Sequence, residues 1–323
     1  MEKVIKWGIL GAGRIAEKFA SDLNKTSNCV LVAVASTSLE RAEDFYSRHG
    51  AQFFFGNYEE LFSVELDVIY IATPHNFHAQ HTLLCLKNKV GVLCEKPFAM
   101  NEMEVTEMIA LAKKNGTFLM EAFWTRFLPT TIKTLQLINA GAIGNIITLQ
   151  ADFGFLATFD PEGRAFNPML GGGAYLDIGI YPTFLSLLLL GYPSSIKASS
   201  VFASTGVDLT TSFIYRYDNE STAVLNCTFG GNTNCEAQIY GDKGKIIINS
   251  RFHEANSITL ILNSGEIEKF DYPRDTFGYN FEIEEVNSCL REGKIESDIL
   301  PLSFSKKLIH LLDKTREQAK IIY

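Results

Sequence analysis

Asp177 and Tyr181 stand four residues apart, shortly after the three glycines of Gly171–Gly173. A helix that starts near Ala174 places both side chains on one face, because residues four apart are neighbours on a helix surface. A carboxylate and a phenol on one face can bind a hydroxylated ring and exchange a proton with it, while glycines let the backbone approach a ligand or bend sharply. The alternative is structural, with an aspartate favoured by the helix dipole and an interfacial tyrosine.

Two other polar segments, 73–76 and 95–97, each come directly after an apolar run of the chain. If these runs are parallel strands, both segments lie at carboxyl ends, where doubly wound sheets bind ligands. A lysine there can hydrogen-bond a substrate oxygen and lower the pKa of a neighbouring acid or base. We therefore predict a catalytic-site role for Lys96. His75 and His78 are open to a capping or packing role as much as to direct chemistry.

The first apolar run ends in Gly11-Ala12-Gly13-Arg14-Ile15-Ala16, a G-x-G-x-x-A pattern. A pyrophosphate needs a tight turn and exposed amide groups at the start of a helix, and glycines supply both. An ordinary turn between a strand and a helix can match the same pattern. Its position at the start of a strand–helix–strand unit favours dinucleotide binding.

The second apolar run ends at Ser36-Thr37-Ser38, with Arg41 one helical turn further on. Domains that prefer NAD usually carry a carboxylate here, whereas hydroxyls and a guanidinium suit the 2′-phosphate of NADP. Ser38 can at the same time be a helix N-cap and Arg41 a solvated residue. We predict NADP as the preferred cofactor, with NAD as an alternative, and the following cofactor-binding residues: Gly11, Gly13, Arg14, Ile15, Ser36, Thr37, Ser38, Arg41, Thr73, Pro74, His75, Asn76, Glu95, Lys96 and Pro97.

The elements that must position these residues change character near Trp124. Up to residue 122, short runs rich in Val, Ile and Leu alternate with amphipathic helical segments, which is typical of a parallel sheet covered on both faces. We predict a doubly wound Rossmann domain over residues 1–122, with six strands near 4–10, 30–36, 52–55, 67–72, 90–94 and 118–121.

The remaining residues, 123–323, predict a second, α+β domain. Helices are expected near 130–140, 174–190, 279–292 and 302–321. Alternating runs joined by short turns with Gly, Asn or Asp predict a large, mostly antiparallel open sheet. Its eight strands are expected near 146–155, 195–204, 207–217, 221–229, 234–240, 244–248, 257–263 and 266–272.

Composition limits the partners. The net charge of −8 and the pI near 5.4 give no electrostatic reason to bind nucleic acid or an anionic membrane, so a small molecule is the expected partner. The six scattered cysteines form no CxxC pair, and we expect reduced core residues and no metal site. The apolar stretch 183–191 is too short to span a bilayer, and residues 4–10 do not form a signal peptide. A cytoplasmic protein is expected.

Three motifs carry a resemblance over essentially the full length: residues 11–16, Glu95-Lys96-Pro97, and Asp177 with Tyr181. They resemble the glucose-fructose oxidoreductase and inositol dehydrogenase (Gfo/Idh/MocA) family. The longer motifs at 121–127 and 171–181 are similar to the branch that contains dimeric dihydrodiol dehydrogenase and NADP-dependent D-xylose dehydrogenase. One departure is Thr37, where that branch often has arginine, which weakens the NADP prediction.

The resemblance implies specific roles. Lys96 would contact substrate and the nicotinamide ribose, Tyr181 would be the acid/base in a place often held by histidine, and Asp177 would orient the substrate. Pro97 would be cis. Dimerisation would use the open sheet, and the substrate pocket would be lined by Trp124, Arg126 and Phe155.

The expected reaction is reversible hydride transfer between a nicotinamide cofactor and a C–OH or C=O group of a sugar, sugar derivative or cyclic diol. Tyr181 would act as acid/base with assistance from Lys96. Two alternatives stay open. One is a non-catalytic NADP-binding sensor or regulator, and the other is redox-neutral, NAD(P)-assisted hydrolysis or elimination on a glycoside.

Overall fold

A computed structural model describes residues 2–322 of the chain. It divides into two compact units, the first formed by 1–126 and 274–306 and the second by 127–273 and 307–323. The predicted boundary between residues 122 and 123 lies close to the first observed boundary, after residue 126. The main difference is that residues 274–306, which follow the second sheet, belong to the first unit.

The first unit has a parallel six-stranded sheet in the order β3-β2-β1-β4-β5-β6. Its interior strands β4 and β5 are buried at every residue, and their side chains are apolar except for Glu95 at the end of β5. The strands are β1 (Ile5–Leu10), β2 (Cys29–Ala35), β3 (Phe53–Phe55), β4 (Val68–Ile71), β5 (Gly91–Glu95) and β6 (Leu119–Ala122). The helices between them are α1 (Arg14–Leu23), α2 (Leu39–His49), α3 (His78–Lys87) and α4 (Glu102–Asn115).

Local sequence sets the helix ends in this unit. The side chain of Asn101 accepts a hydrogen bond from the backbone N–H of Glu104 at 3.0 Å and caps α4. The helix ends at Gly116, whose φ of +61° is favourable for glycine. Between β3 and β4 the chain forms only a short 3₁₀ turn, over Glu59–Ser63.

The returning segment 274–306 contains α7 (Asn280–Arg291) and packs on the Rossmann sheet. The indole N–H of Trp7 on β1 donates to Asn287 at 3.0 Å, and the backbone N–H of Leu119 on β6 donates to the carbonyl of Ile295 at 3.0 Å. Both contacts join residues far apart in sequence. The α7 helix, which the sequence assigned to the second domain, is therefore a structural part of the first unit.

The second unit has an eight-stranded sheet in the order β14-β13-β12-β11-β7-β10-β9-β8. Only the β7–β10 pair is parallel among these neighbours, so the mostly antiparallel sheet is confirmed. Its strands are β7 (Ile146–Gly154), β8 (Ser195–Phe202), β9 (Asp208–Arg216), β10 (Thr222–Thr228), β11 (Ala237–Gly241), β12 (Gly244–Ile248), β13 (Ser257–Leu262) and β14 (Ile267–Asp271). The helices are α5 (Pro129–Asn139), α6 (Ile180–Leu190) and α8 (Leu302–Ala319), the first turn of which belongs to the first unit.

One face of this sheet is covered and the other is open. On β9, Phe213 and Tyr215 are buried, whereas Ile214 between them is 46% exposed. The hydroxyl of Tyr215 makes a 2.7 Å hydrogen bond to Thr315 of α8, which therefore lies on the covered face. Alternation of buried and exposed residues along a strand produces this asymmetry.

Within residues 2–322, one helical run, Pro168–Leu190, is 23 residues long and apolar enough to cross a membrane by length and composition alone. The prediction that the longest apolar stretch is too short considered only 183–191. The run is longer because irregular helical turns precede α6. In the most apolar 18-residue window of this run, 83% of the window is buried inside the protein, which is typical of a core helix.

Candidate functional site

The glycine-rich turn after β1 is shaped to admit a pyrophosphate. Gly11 has a φ of +104°, and a Cβ there would lie 3.0 Å from the carbonyl oxygen of Ala72. Gly13 is exposed and is the N-cap of α1 without a side-chain hydrogen bond, so no side chain covers the first amides of the helix. Arg14 is exposed and Ile15 is half-buried at the same turn. Free helix amides and a positive dipole end favour an anion, so these residues fit a dinucleotide.

The end of β2 presents hydroxyls and one guanidinium. Ser36 is buried and its Oγ accepts the backbone N–H of Ser38 at 3.3 Å. The Oγ of Ser38 in turn accepts the N–H of Arg41 at 3.3 Å and caps α2. The exposed guanidinium of Arg41 donates to the hydroxyl of Thr37 at 3.1 Å. Ser38 caps α2, while the side chains of Thr37 and Arg41 are exposed. The capping role of Ser38 is therefore compatible with phosphate binding by this segment.

His78 joins the two polar loops that follow β4 and β5. Its imidazole is fully buried, with Nε2 2.8 Å from the carbonyl of Thr73 and Nδ1 2.7 Å from the carbonyl of Pro97. Burial lowers the pKa of His78 to about 4. The ring of His75, also buried, lies 5.7 Å away, while Pro74 and Asn76 are half-buried. His78 is thus a packed residue that fixes two predicted cofactor loops, as its structural interpretation allowed.

Glu95 supports the lysine loop from inside. Its buried carboxylate accepts the hydroxyl of Tyr70 at 2.5 Å and the backbone N–H of Lys96 at 3.1 Å. The side chain predicted to touch the cofactor therefore binds the protein's own backbone. Lys96 is half-buried, and the Lys96–Pro97 peptide bond is cis, as the resemblance implied.

A second carboxylate holds the residues just after the cis bond. Glu121 accepts the backbone N–H of Phe98 at 3.1 Å and is 2% exposed. Burial, reinforced by the charge of Glu95, raises the pKa of Glu121 to about 7. Two buried carboxylates thus restrain the loop that carries Lys96.

Trp124 lies in a 3₁₀ turn directly after β6. Its indole is 5% exposed and stacks on Tyr279 with ring centroids 4.7 Å apart and planes at 15°. The loop that carries Tyr279 is held by Asp22, which accepts the backbone N–H groups of Phe277, Gly278 and Tyr279 at 2.9–3.0 Å. Arg126, in the same turn as Trp124, is half-buried, and burial lowers the pKa of its guanidinium.

In the second unit, Asp177 and Tyr181 are both 6% exposed. The predicted continuous helix is interrupted, because Tyr175–Gly179 form a π-helical turn before α6 begins at Ile180. Such turns are frequent at functional sites. The carboxylate of Asp177 pairs with the guanidinium of Arg164 at 2.8 Å.

The glycine triplet before this turn allows the backbone to bend. Gly171 and Gly173 have φ values of +71° and +123°. A Cβ on Gly172 would lie 2.8–3.0 Å from the carbonyl oxygens of Asn167, Arg164 and Ala165. The triplet therefore packs the loop 164–167 tightly against the start of the helical run.

Aromatic rings surround Tyr181. Its ring centroid lies 5.5 Å from that of Phe153 and 4.9 Å from that of His253, and the latter two stack at 4.1 Å. Phe155, predicted to line the substrate pocket, is 39% exposed and contacts Phe153 and Phe229 with centroids 6.5 and 5.2 Å away. Phe155 is therefore linked to Tyr181 through the ring of Phe153, which contacts both.

Family comparison assigns both units. The model of an oxidoreductase family with an NAD-binding Rossmann fold matches residues 5–123, and the model of the GFO/IDH/MocA C-terminal domain matches residues 132–247. The chain belongs to the Gfo/Idh/MocA oxidoreductase family. It is an NAD(P)-dependent oxidoreductase, and the fold class and family predicted from the sequence are confirmed.

Relatives of this Gfo/Idh/MocA enzyme cover it almost completely. It is 38% identical to trans-1,2-dihydrobenzene-1,2-diol dehydrogenase of Xenopus tropicalis, over 98% of this chain and 99% of the relative. It is 32% identical to D-xylose 1-dehydrogenase (NADP⁺) of Hypocrea jecorina, over 99% of this chain and 93% of the relative. Both belong to the branch that the longer motifs indicated.

Solved structures share the fold of the Gfo/Idh/MocA enzyme. An aldose-aldose oxidoreductase from Caulobacter crescentus superposes with a TM-score of 0.90 at 23% identity, over 98% of both chains. A 3-ketoreductase from Actinomadura kijaniata, in complex with NADP, gives a TM-score of 0.88 at 23% identity, also over 98% of both chains. At this identity the likeness establishes the fold.

Sequence reasoning missed two residues of this Gfo/Idh/MocA enzyme that contact predicted site residues, Arg164 beside Asp177 and His253 beside Tyr181. It also missed Asp22, which holds the loop of Tyr279, the residue whose ring stacks on Trp124. Asp22 lies inside an amphipathic helix, and Arg164 and His253 lie in irregular segments without a motif. The only signal was residue type, since a carboxylate on an otherwise buried helix face must have a partner. Among residues 2–322, no group of three or more His, Cys, Asp or Glu side chains is arranged to hold a metal ion.

Proposed function

We propose that this enzyme catalyses reversible hydride transfer between NADP and a secondary or anomeric C–OH of a sugar, sugar derivative or cyclic diol. The observation that carries the proposal is the buried Tyr181, two residues after the end of a π-helical turn that also holds Asp177. The relatives named for a dihydrodiol and for D-xylose support the substrate class.

The proposed roles follow from residue chemistry. Tyr181 accepts the hydroxyl proton as a phenolate during oxidation and returns it as a phenol during reduction. Lys96 assists, because an ammonium group stabilises nearby negative charge on oxygen. Asp177 accepts a hydrogen bond from a second substrate hydroxyl and orients the ring. The nicotinamide, when bound, supplies the hydride exchange.

The test is a substrate panel. Purified enzyme is assayed by reduced-nicotinamide absorbance with NADP or NAD across aldoses, inositols and cyclic trans-diols. We expect turnover on at least one sugar or diol, with NADP preferred. Tight NADPH binding with no turnover on the panel would support a sensor, and product formation without net nicotinamide change would support the redox-neutral reaction.

The preference for NADP makes a prediction at Arg41. Its guanidinium is exposed beside the hydroxyl of Thr37 and suits a 2′-phosphate. We expect Arg41→Ala to weaken NADPH binding about tenfold, which is about 1.4 kcal/mol, and to leave NADH binding unchanged. Fluorescence titration measures both affinities.

The matched control is Arg48→Ala on the same helix, because Arg48 pairs with Glu17 and Asp44. It should leave both affinities at the wild-type value. Equal loss of NADPH and NADH affinity in Arg41→Ala would contradict a role in 2′-phosphate recognition.

We further propose a homodimer formed through the open face of the eight-stranded sheet. Val201, Ile214 and Val224 are 61%, 46% and 46% exposed on this face, among mostly uncharged polar side chains. Light scattering of the wild type is expected to give twice the chain mass of 36.0 kDa. Location in the cytoplasm stays a prediction, which cell fractionation checks.

A charge on that face should disrupt the dimer. We expect Val224→Arg to shift the mass to that of one chain, because a guanidinium opposite its own copy is repelled and desolvated. Met103→Arg on α4, where Met103 is 78% exposed, is the control and should stay dimeric. A dimeric Val224→Arg would place any interface elsewhere.

A further inference from the structure

His253 lies in the second unit, in a 3₁₀ turn over Phe252–Glu254. The turn follows Arg251, whose φ is +60°, and its backbone is held by a 2.9 Å hydrogen bond from Phe252 N–H to the carbonyl of Cys235. This fixed turn places the imidazole where it is 4% exposed. The side chain is therefore directed inward by its backbone.

Three rings touch one another in pairs around this imidazole. His253 stacks on Phe153 with centroids 4.1 Å apart and planes at 20°. Tyr181 is tilted against both, at 50° to His253 and 45° to Phe153, with centroids 4.9 and 5.5 Å away. All three side chains are at most 7% exposed.

The arrangement restricts the phenol of Tyr181. A tyrosine ring turns about two side-chain torsions, and the second of them is broad when nothing packs against the ring. Phe153 lies on β7 and His253 lies in the turn after β12, so side chains from two separate elements pack against the ring of Tyr181. A misplacement of about 1 Å in a catalytic group can cost on the order of 10²-fold in rate.

We propose that His253 is a positioning residue that, with Phe153, sets the orientation of the Tyr181 phenol through ring contact. The inference rests on the proposed role of Tyr181 as acid/base. The proposal gives the Phe252–Glu254 turn a role in the reaction, although the sequence of this turn contains no recognisable motif. Its specific consequence is that a planar ring at position 253, whatever its polarity, is what turnover requires.

Replacement by smaller and isosteric side chains tests this. We expect His253→Ala to lower kcat by about 10- to 100-fold, with KM and the affinity for NADPH within about threefold of wild type. His253→Phe should restore kcat to within about fivefold, because it keeps the ring contact. His253→Leu replaces the alanine variant if that one does not fold. The control is His310→Ala, a histidine of the same unit that contacts Tyr192.

A double-mutant cycle separates positioning from general stability. If His253 acts through the Tyr181 hydroxyl, His253→Ala should cause no further loss in a Tyr181→Phe background, whereas independent effects would multiply. Folding of each variant is checked by its melting temperature. Multiplying losses, wild-type turnover in His253→Ala, or equal losses for the phenylalanine and alanine variants would overturn the inference.

The failure of the inference and that of the proposed function give different results. An inactive Tyr181→Phe together with a fully active His253→Ala removes only the role of His253. A fully active Tyr181→Phe removes the acid/base role, and the positioning role falls with it.

Discussion

Tyr181→Phe is expected to lose on the order of 10²- to 10⁴-fold in turnover while NADP binding is retained. The substitution removes one hydroxyl and keeps the ring that packs against Phe153 and His253. Because Tyr181 belongs to the second unit and the glycine turn to the first, the cofactor-binding residues are unchanged. Reduced-nicotinamide absorbance on the best panel substrate measures turnover, and fluorescence titration measures NADPH affinity.

Tyr175→Phe is the matched control, six residues earlier in the same helical run. The hydroxyl of Tyr175 is fully buried and lies 3.5 Å from that of Thr183 and 3.4 Å from that of Tyr215. Its loss should lower stability by about 1 kcal/mol and leave kcat near the wild-type value. Unchanged turnover in Tyr181→Phe would remove this residue from the mechanism.

Asp22→Ala is expected to destabilise the first unit by about 3–5 kcal/mol, because it leaves two buried backbone N–H groups and one partly buried N–H group without their acceptor. Asp22 is fully buried and accepts from Phe277, Gly278 and Tyr279 just before α7 begins at Asn280. The carboxylate also faces the positive end of the helix dipole. Urea unfolding followed by circular dichroism measures the loss.

One neighbour opposes this effect in part. The fully buried Glu282 has a pKa raised well above its usual range, first by burial and then by the charges of Glu95 and Asp22. Removing Asp22 takes away one of the charges that raise the pKa of Glu282, but the three lost hydrogen bonds outweigh this effect. The freed loop carries Tyr279, which stacks on Trp124, so we also expect a higher KM in variant enzyme that remains folded.

Asp44→Ala on α2 is the control, since Asp44 is exposed and pairs with Arg48 one turn away. An exposed pair of this kind contributes about 0.5 kcal/mol or less. Asp22→Asn keeps one acceptor oxygen and should fall between the two. A loss below about 1 kcal/mol in Asp22→Ala would mean that water or backbone rearrangement satisfies the three N–H groups.

Local patterns determined much of this enzyme. The strands of both sheets and the dinucleotide turn at Gly11 and Gly13 were predicted, because periodicity and residue spacing act over a few positions. The cis bond before Pro97 followed from family resemblance. Each of these features depends on neighbours in the chain or on a motif shared with relatives.

Tertiary structure alone decided which distant residues support that machinery. Asp22 meets Gly278 across 256 positions, His78 meets Pro97 across 19, and His253 reaches Tyr181 from a turn that has no motif. The position of residues 274–306 in the first unit was likewise decided by the tertiary structure. A buried polar group needs a hydrogen-bond partner and a buried ring needs neighbours that pack against it. These partners can lie at any distance along the sequence. Spacing within the chain therefore predicted the candidate site residues, and only the tertiary structure showed which distant residues pack against them.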